Sequence, residues 1–447
     1  MAGKWGQAVY GIYRAAGRAI SPFLYIHWRR LRGLEHQSRW PERFGRPTAP
    51  RPPGPLIWFH AVSLGEGLAI IPVIKHCLLE NPSLLVLMTT TTVSAFEVIK
   101  NRLPNSVIYQ FAPVDTPMAM ENFLVYWNPI AVILMESEVW PNLIISASRK
   151  GIEVALLNAR MSCNSFKRWS LKISRPLISL LLSKFSLIVA LNTAQAVRYQ
   201  LLNAPPFIIN FAGDLKYAVG GLQLSQSENK SIEGLKLQLN DRPVWMAASI
   251  HKSEAEVMIS VHKELAMAFP NLITIIVMRH PQHGKQLAQA LQKRGMLVAL
   301  RSKSEMVSPC IHVYVVDTLG ELGMLFRVTP IAVIGGSFQS GLSGHNFSEA
   351  AAAGCAVLTG PHLGHFSRML TEMKQVDSLS VLQVKGKEEL VDALKQLLSR
   401  AELLEARQKS AKLAFSTVSN GVVKNVWKLV NNHCLGGRQA IGLNLKP

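Results

Sequence analysis

Short apolar runs recur along the chain, each followed by a longer stretch in which apolar and polar positions alternate with a helical period. The first runs fall at 56–59, 84–88, 107–111, 131–135, 154–157, 187–190 and 208–211. A second series falls at 244–248, 272–277, 297–300, 311–315, 331–334 and 356–358. Runs that are apolar on both faces and separated by crossover-length segments predict parallel strands covered by helices. The chain is therefore expected to be α/β, with two Rossmann-like, doubly wound parallel-sheet halves joined by the polar stretch 223–230. The closing segment 401–432 reads as one or two helices. The expected organisation is an amino-terminal arm (1–34), a first α/β domain (35–222), a second (231–420), and a carboxy-terminal helix and tail (421–447). In such sheets a ligand lies beyond the carboxyl ends of the strands, so two halves predict a cleft lined by post-strand loops.

Length and composition narrow the class. The 447 residues, 49% of them hydrophobic, suffice for more than one core. No uncharged run is long enough to span a bilayer, because the apolar stretch 176–191 holds Lys184 and three serines. Cys77, Cys163, Cys310, Cys355 and Cys434 are odd in number and contain no Cys-x-x-Cys pair, which argues against a disulfide framework or a structural zinc site.

Charge changes the picture at the amino terminus. The chain carries 48 Lys plus Arg against 28 Asp plus Glu, a net charge of +20. Residues 1–34 hold Lys4, Arg14, Arg18, Arg29, Arg30 and Arg32 and no acid. Val9, Tyr10, Ile12, Tyr13, Phe23 and Leu24 interleave with them, which suits an amphipathic helix on an anionic membrane or an organelle presequence, with Pro22 as a break. A solvated basic arm is the plainer alternative. Nucleic acid is not an expected partner, since the excess is terminal and no RNP-like pattern occurs in the post-strand loops.

Candidate chemistry lies in those loops. After the first strand comes His60-Ala61-Val62-Ser63-Leu64-Gly65-Glu66-Gly67, where Glu66 is either a first-turn partner of the helix dipole or a general base. Glu136-Ser137-Glu138-Val139-Trp140-Pro141-Asn142 offers two carboxylates, one of which suffices to cap the next helix. Gly213-Asp214-Leu215-Lys216-Tyr217 places a cation after a strand, suited to stabilising developing negative charge. The second half supplies Ser249-Ile250-His251-Lys252, Arg279-His280-Pro281, Asp317-Thr318-Leu319-Gly320-Glu321-Leu322, Gly335-Gly336-Ser337-Phe338 and Gly344-His345-Asn346-Phe347-Ser348-Glu349. Glycine turns before helices present backbone N–H groups suited to phosphate. Neither a Gly-x-Gly-x-x-Gly fingerprint nor a Walker loop occurs, which disfavours nicotinamide and ATP. His280 with His283 and His362 with His365 have an i, i+3 spacing, but no acid or cysteine completes a metal site.

Together with Arg43-Phe44-Gly45 and Asn158-Ala159-Arg160-Met161-Ser162, these loops follow one another in the order of a known family. The chain resembles the 3-deoxy-D-manno-octulosonic acid (Kdo) transferases, glycosyltransferase family 30, from about Trp40 to Arg368. The resemblance implies a GT-B fold facing across a cleft, a CMP-Kdo donor, a lipid A precursor as acceptor, and inversion at the anomeric carbon with no metal or other cofactor. By position, Glu66 resembles the proton acceptor, while Glu136 and Lys216 resemble transition-state stabilisers. Arg279, His280, Pro281, Leu319, Gly320, Glu321, Asn346, Phe347, Ser348 and Glu349 resemble CMP-binding positions, with Gly336 and Ser337 in the adjoining glycine turn. Many bacterial members carry His-Glu-Gly-Glu-Glu where this chain has His251-Lys252-Ser253-Glu254-Ala255. Their amino-terminal segment is a longer apolar anchor, so the short basic one here implies a eukaryotic, mitochondrial, membrane-associated member, with the cytoplasmic face of a bacterial inner membrane as the alternative. The competing readings are another GT-B enzyme with a different nucleotide sugar or, less favoured, a basic nucleic-acid-binding protein.

Overall fold

The structure, a computed structural model, describes residues 2–19, 22–221, 226–240 and 242–436. The start of the expected linker (223–225) and the end of the expected tail (437–447) lie outside the described residues. From Gln226 the polar stretch is helical, so it opens a helix rather than forming an extended linker.

Two compact units account for the chain: residues 1–218 with 421–447, and residues 219–420. The first begins with α1 (Ala2–Ala19) and α2 (Pro22–Leu31), then β1 (Leu56–His60), α3 (Leu64–Glu80), β2 (Leu85–Thr90), α4 (Val93–Ile99) and β3 (Ile108–Phe111). It continues with α5 (Pro117–Trp127), β4 (Ala131–Met135), α6 (Pro141–Arg149), β5 (Glu153–Ala159), α7 (Cys163–Trp169) and α8 (Arg175–Leu182). The series ends with β6 (Leu187–Ala190), α9 (Thr193–Leu201) and β7 (Ile209–Asn210). All seven strands are parallel, in the order β3-β2-β1-β4-β5-β6-β7. In β1, Leu56, Ile57, Trp58 and Phe59 are all buried, because helices cover both faces of the sheet. Each such side chain contributes roughly 1.5–3 kcal/mol of burial energy, which is why the apolar runs mark the strands so clearly.

The second unit repeats the plan: α10 (Gln226–Leu239), β8 (Val244–Ile250), α11 (Ala255–Ala268), β9 (Ile273–Met278), α12 (Gly284–Lys293), β10 (Val298–Leu300) and β11 (Val313–Val316). Then come α13 (Leu322–Leu325), β12 (Ile331–Ile334), α14 (Ser348–Ala353), β13 (Ala356–Thr359), α15 (Ser367–Val376) and β14 (Val381–Gln383). It closes with α16 (Lys387–Ser399) and α17 (Ala401–Ser419). Its parallel order is β10-β11-β9-β8-β12-β13-β14. β14 carries no apolar run: it is a three-residue edge strand whose only fully buried side chain is Val381.

Both terminal segments pack into unit 1. Tyr10 on α1 and Ile26 on α2 are buried within unit 1, which anchors both helices there. Gly6 lets α1 lie against α8, because a Cβ there would come 2.6 Å from the Pro176 carbonyl oxygen. At the other end, Asn420 and Gly421 separate α17 from α18 (Val422–Val430), and α18 packs its buried Val422, Val426 and Trp427 into unit 1 rather than standing apart.

Candidate active site

Each β-strand of unit 1 delivers a loop at its carboxyl end, and the one after β1 builds the first candidate group. Ser63 caps α3, its hydroxyl accepting from the Glu66 N–H at 3.4 Å. The Glu66 carboxylate in turn accepts from the Val62 N–H at 2.9 Å and from the Ser63 hydroxyl at 3.1 Å. This reciprocal cap gives Glu66 a local structural use and also fixes its orientation. Burial, reinforced by the negative charge of Glu136, raises its pKa above the ordinary carboxylate value, although these hydrogen bonds oppose the shift. A carboxylate in that state is a better proton acceptor near neutral pH.

Glu136, immediately after β4, is held in the opposite electrostatic condition. It sits in left-handed backbone at φ 55°, a conformation that residues other than glycine rarely adopt. Its N–H donates to the Leu157 carbonyl at 2.8 Å, and its own carbonyl accepts from the Arg160 N–H at 3.1 Å. Its buried carboxylate takes Lys216 Nζ at 2.9 Å on one oxygen and Arg160 Nε at 2.6 Å on the other. Burial alone would push its pKa up, but Lys216 and Arg160 outweigh burial and hold it below the ordinary range. Glu136 is thus a fixed anion and Glu66 a titratable one.

Lys216 reaches Glu136 through a second lock. Asn158, also in left-handed backbone at φ 53°, donates from Nδ2 to Asp214 Oδ1 at 2.7 Å and accepts from the Leu215 N–H at 3.0 Å. Asp214 Oδ1 also accepts from the Lys216 N–H at 2.9 Å. Asn158 and Arg160 carry no role in the sequence reading. The signal they offer is a polar, positively charged break at the end of an otherwise apolar strand.

Glu138 accepts from Trp140 Nε1, and the Trp140 ring stands edge-on to His60 with centroids 4.5 Å apart. Burial, with added repulsion from Glu66 and Glu136, pushes its pKa up to about 7. His60 is buried, bonds Thr89 Oγ1 through Nδ1 at 2.8 Å, and is held neutral, with a pKa lowered by burial to about 3. The two carboxylates of the Glu136-Ser137-Glu138 segment therefore point to different partners. Asn142 fixes the start of α6, its backbone N–H donating to Asp115 Oδ2 at 3.1 Å and its Nδ2 to the Asp115 carbonyl at 2.7 Å.

In unit 2 the post-β9 loop leaves Arg279 and His280 exposed, with Pro281 half-buried beside them. Burial, then the neighbouring positive charge of Arg279, lowers the His280 pKa. The glycine turn after β12 departs from its sequence reading. The Gly336 N–H donates to Glu254 Oε2 at 2.7 Å and the Phe338 N–H to Glu254 Oε1 at 3.0 Å, so Glu254, not a ligand phosphate, satisfies them. The same carboxylate accepts from the His251 N–H at 3.1 Å. Gly336 itself is at φ 68°, and a Cβ there would meet the His345 ring at 2.8 Å. The Ser337 hydroxyl is buried, donating to the Ile334 carbonyl at 2.6 Å and accepting from the Gly360 N–H at 2.8 Å. Gly336 and Ser337 thus shape the turn by internal bonds. In the sequence Glu254 stands out only as part of a charge-altered segment, and its anchoring role needs three-dimensional closure to be visible.

Asn346 Oδ1 accepts from the Ser348 N–H at 3.0 Å and from its hydroxyl at 2.8 Å, while Phe347 and Ser348 are buried. Glu349 is half-buried in the first turn of α14. Leu319 is exposed, Gly320 takes φ 84°, and Glu321 is gripped by Arg301 Nη2 at 2.7 Å. His251 and His345 stack with ring nitrogens 2.9 Å apart. Among the described residues, no group of three or more His, Cys, Asp or Glu is arranged to hold a metal ion, and the His365 side chain lies outside them.

Residues 38–219, which span these unit 1 loops, match the family described as 3-Deoxy-D-manno-octulosonic-acid transferase (kdotransferase). An Arabidopsis thaliana protein named "Probable 3-deoxy-D-manno-octulosonic acid transferase, mitochondrial" is 57% identical over 97% of this chain and 98% of its own length. The chain belongs to the Kdo transferase family. The enzyme of that name from Haemophilus influenzae is 33% identical over 77% of this chain and 81% of its own length. The fold of this Kdo transferase is GT-B. It superposes on UDP-GlcNAc 2-epimerase from Neisseria meningitidis with TM-score 0.56 and 13% identity, over 84% of this chain and all of that one. A glycosyltransferase from Rickettsia africae aligns with TM-score 0.54 and 12% identity, over 85% of this chain and 98% of its own. The chain is a glycosyltransferase that moves Kdo.

Proposed function

We propose that the chain transfers Kdo from CMP-Kdo to a lipid A precursor with inversion, Glu66 accepting the proton of the attacking sugar hydroxyl. The observation that carries this reading is the contrast between a half-buried Glu66 with raised pKa and a neighbouring Glu136 locked as an anion by Lys216 and Arg160. The acceptor oxygen bonds to the anomeric carbon as its proton passes to Glu66. The bond from that carbon to the CMP phosphate breaks, and its electron pair leaves with the phosphate. Lys216, pre-positioned by Glu136 and the Asn158–Asp214 lock, is the cation that offsets charge in the transition state. Exposed Arg279 and His280, with the loops at Leu319, Gly320 and Glu321 and at Asn346 to Glu349, bind the cytidylate. Glu254 supports that role indirectly by fixing the turn through Gly336 and Phe338.

A mitochondrial, membrane-associated location is part of the same reading. The name of the Arabidopsis relative and the acid-free, basic segment 1–34 support it. No helix among the described residues is long and apolar enough to cross a membrane. Incubation of the purified chain with CMP-Kdo and a tetra-acylated lipid A precursor, followed by mass spectrometry, tests the donor and acceptor together. A mass increment of one or more Kdo units is expected. Turnover of a UDP-sugar in place of CMP-Kdo would overturn the proposal.

A further inference from the structure

A cavity of about 910 Å³ opens on unit 1 between α1, the start of α5 and the end of α6. Arg14 and Arg18 line it from α1, Arg149 and Lys150 from the end of α6, and Pro117 and Met118 from α5. Lys150 is paired to Glu121 at 2.6 Å, so three arginines remain to set the sign of the cavity. Arg149 also lies over the Tyr10 ring at 5.8 Å, which holds its head toward α1. A second cavity of about 270 Å³ shares Thr116, Met118 and Asn122 with the first, and Trp40 and Phe44 form its wall. The first is basic and the second is mainly apolar, with Arg46 also lining it, and Met118 lines both. Neither Glu66, Glu136 nor Lys216 lines either one.

The face beside these cavities carries an exposed apolar stripe. Leu24, Trp28 and Leu31 follow i, i+4, i+7 spacing on α2 and are all exposed, Leu24 at 68% and Leu31 at 76%. Arg32 stacks on Trp28 at 4.2 Å, and Arg30 stacks at 5.1 Å on Trp40, the residue that walls the apolar cavity. An apolar stripe with basic and aromatic flanks suits the headgroup boundary of an anionic membrane.

We propose that the two cavities form a site for one anionic membrane phospholipid, its phosphate among Arg14, Arg18 and Arg149 and one acyl chain passing over Met118 against Trp40 and Phe44. The lipid is bound and does not react, so the site goes beyond the transfer reaction, and its choice of occupant rests on reading the first two helices as membrane-facing. Charge-assisted contacts to the phosphate and burial of the chain each supply part of the affinity, so neither half of the lipid binds well alone.

Titration calorimetry with dihexanoyl phosphatidylglycerol below its micelle concentration tests the site on the full chain. One saturable site is expected, with dihexanoyl phosphatidylcholine, glycerol phosphate and inorganic phosphate each bound at least about tenfold more weakly. Arg149→Gln and Met118→Glu, both at exposed positions, should each weaken phosphatidylglycerol binding by about tenfold or more. Failure of phosphatidylglycerol to saturate, equal binding of inorganic phosphate, or unchanged affinity in both variants would overturn the proposal. Flotation with phosphatidylglycerol vesicles separates the two premises. Leu24→Glu combined with Leu31→Glu should abolish flotation yet leave the calorimetric site intact, and loss of both together would place the lipid on the helix face instead.

Discussion

The two sheets are both parallel and seven-stranded but differ in strand order, and their carboxyl edges use acidic side chains in opposite ways. In unit 1, Glu66, Glu136 and Glu138 lie close enough for their charges to shift one another, and only Glu136 is neutralised by cations. In unit 2 these acids are tied down by local partners: buried Glu254 binds three backbone N–H groups, Asp317 accepts from the Ser302 N–H at 2.9 Å, and Glu321 is held by Arg301. Arg279 and His280 are left exposed there. The difference teaches that a doubly wound sheet does not fix the sign of its own ligand edge. The sign follows from which acids the loops tie down, leaving a titratable carboxylate in one unit and an exposed arginine in the other.

The sharpest way to break this comparison is Glu66→Gln. It should lower kcat by roughly 10²–10⁴-fold while CMP affinity, measured by calorimetry, stays within about twofold. Retained transfer would remove Glu66 as the proton acceptor. Next in size is Lys216→Met, which leaves the buried Glu136 with Arg160 alone and should lower kcat by about 10²–10³-fold. An unchanged kcat with only a lower unfolding temperature would make the pair purely structural.

Smaller effects sharpen the unit 2 side. Asn346→Ala or Glu349→Ala should weaken CMP binding by about tenfold with little loss of kcat at saturating donor. If CMP affinity is unaltered, that loop does not touch the nucleotide. The mildest effect concerns Glu138. Its folded pKa of about 7 lies above the ordinary 4.5, so the folded state prefers the protonated acid. Its contribution to stability is present at low pH and is lost as pH rises from about 4.5 through 7. Denaturant titrations across that interval should show a flatter pH dependence for Glu138→Gln than for the unmodified chain. Identical slopes would mean that Glu138 does not titrate there.

Much of the fold was legible because strands buried on both faces leave continuous apolar runs, as at Ala131–Met135 and Ile331–Ile334, whose limits match their runs. Val381–Gln383 escaped because an edge strand needs no second apolar face. The loops that carry Glu66, Glu136 and Lys216 were also legible, by resemblance and by their place after strands. Less so was the geometry that sets their chemistry. Left-handed backbone at Glu136 and Asn158, the Asn158–Asp214 bond and the three bonds to Glu254 depend on residues brought together only by folding, and no local pattern announces them. The docking of α1 was equally silent, since Gly6 looks like any small residue until the Pro176 carbonyl stands against it.

The return of α18 to unit 1 also sets an order of events during synthesis. Unit 2 has every residue it needs once Asn420 has left the ribosome, whereas unit 1 still lacks Val422, Val426 and Trp427 of its core. The half made first is therefore the half finished last, and the newborn Glu66 loop waits on α18 while unit 2 can already fold.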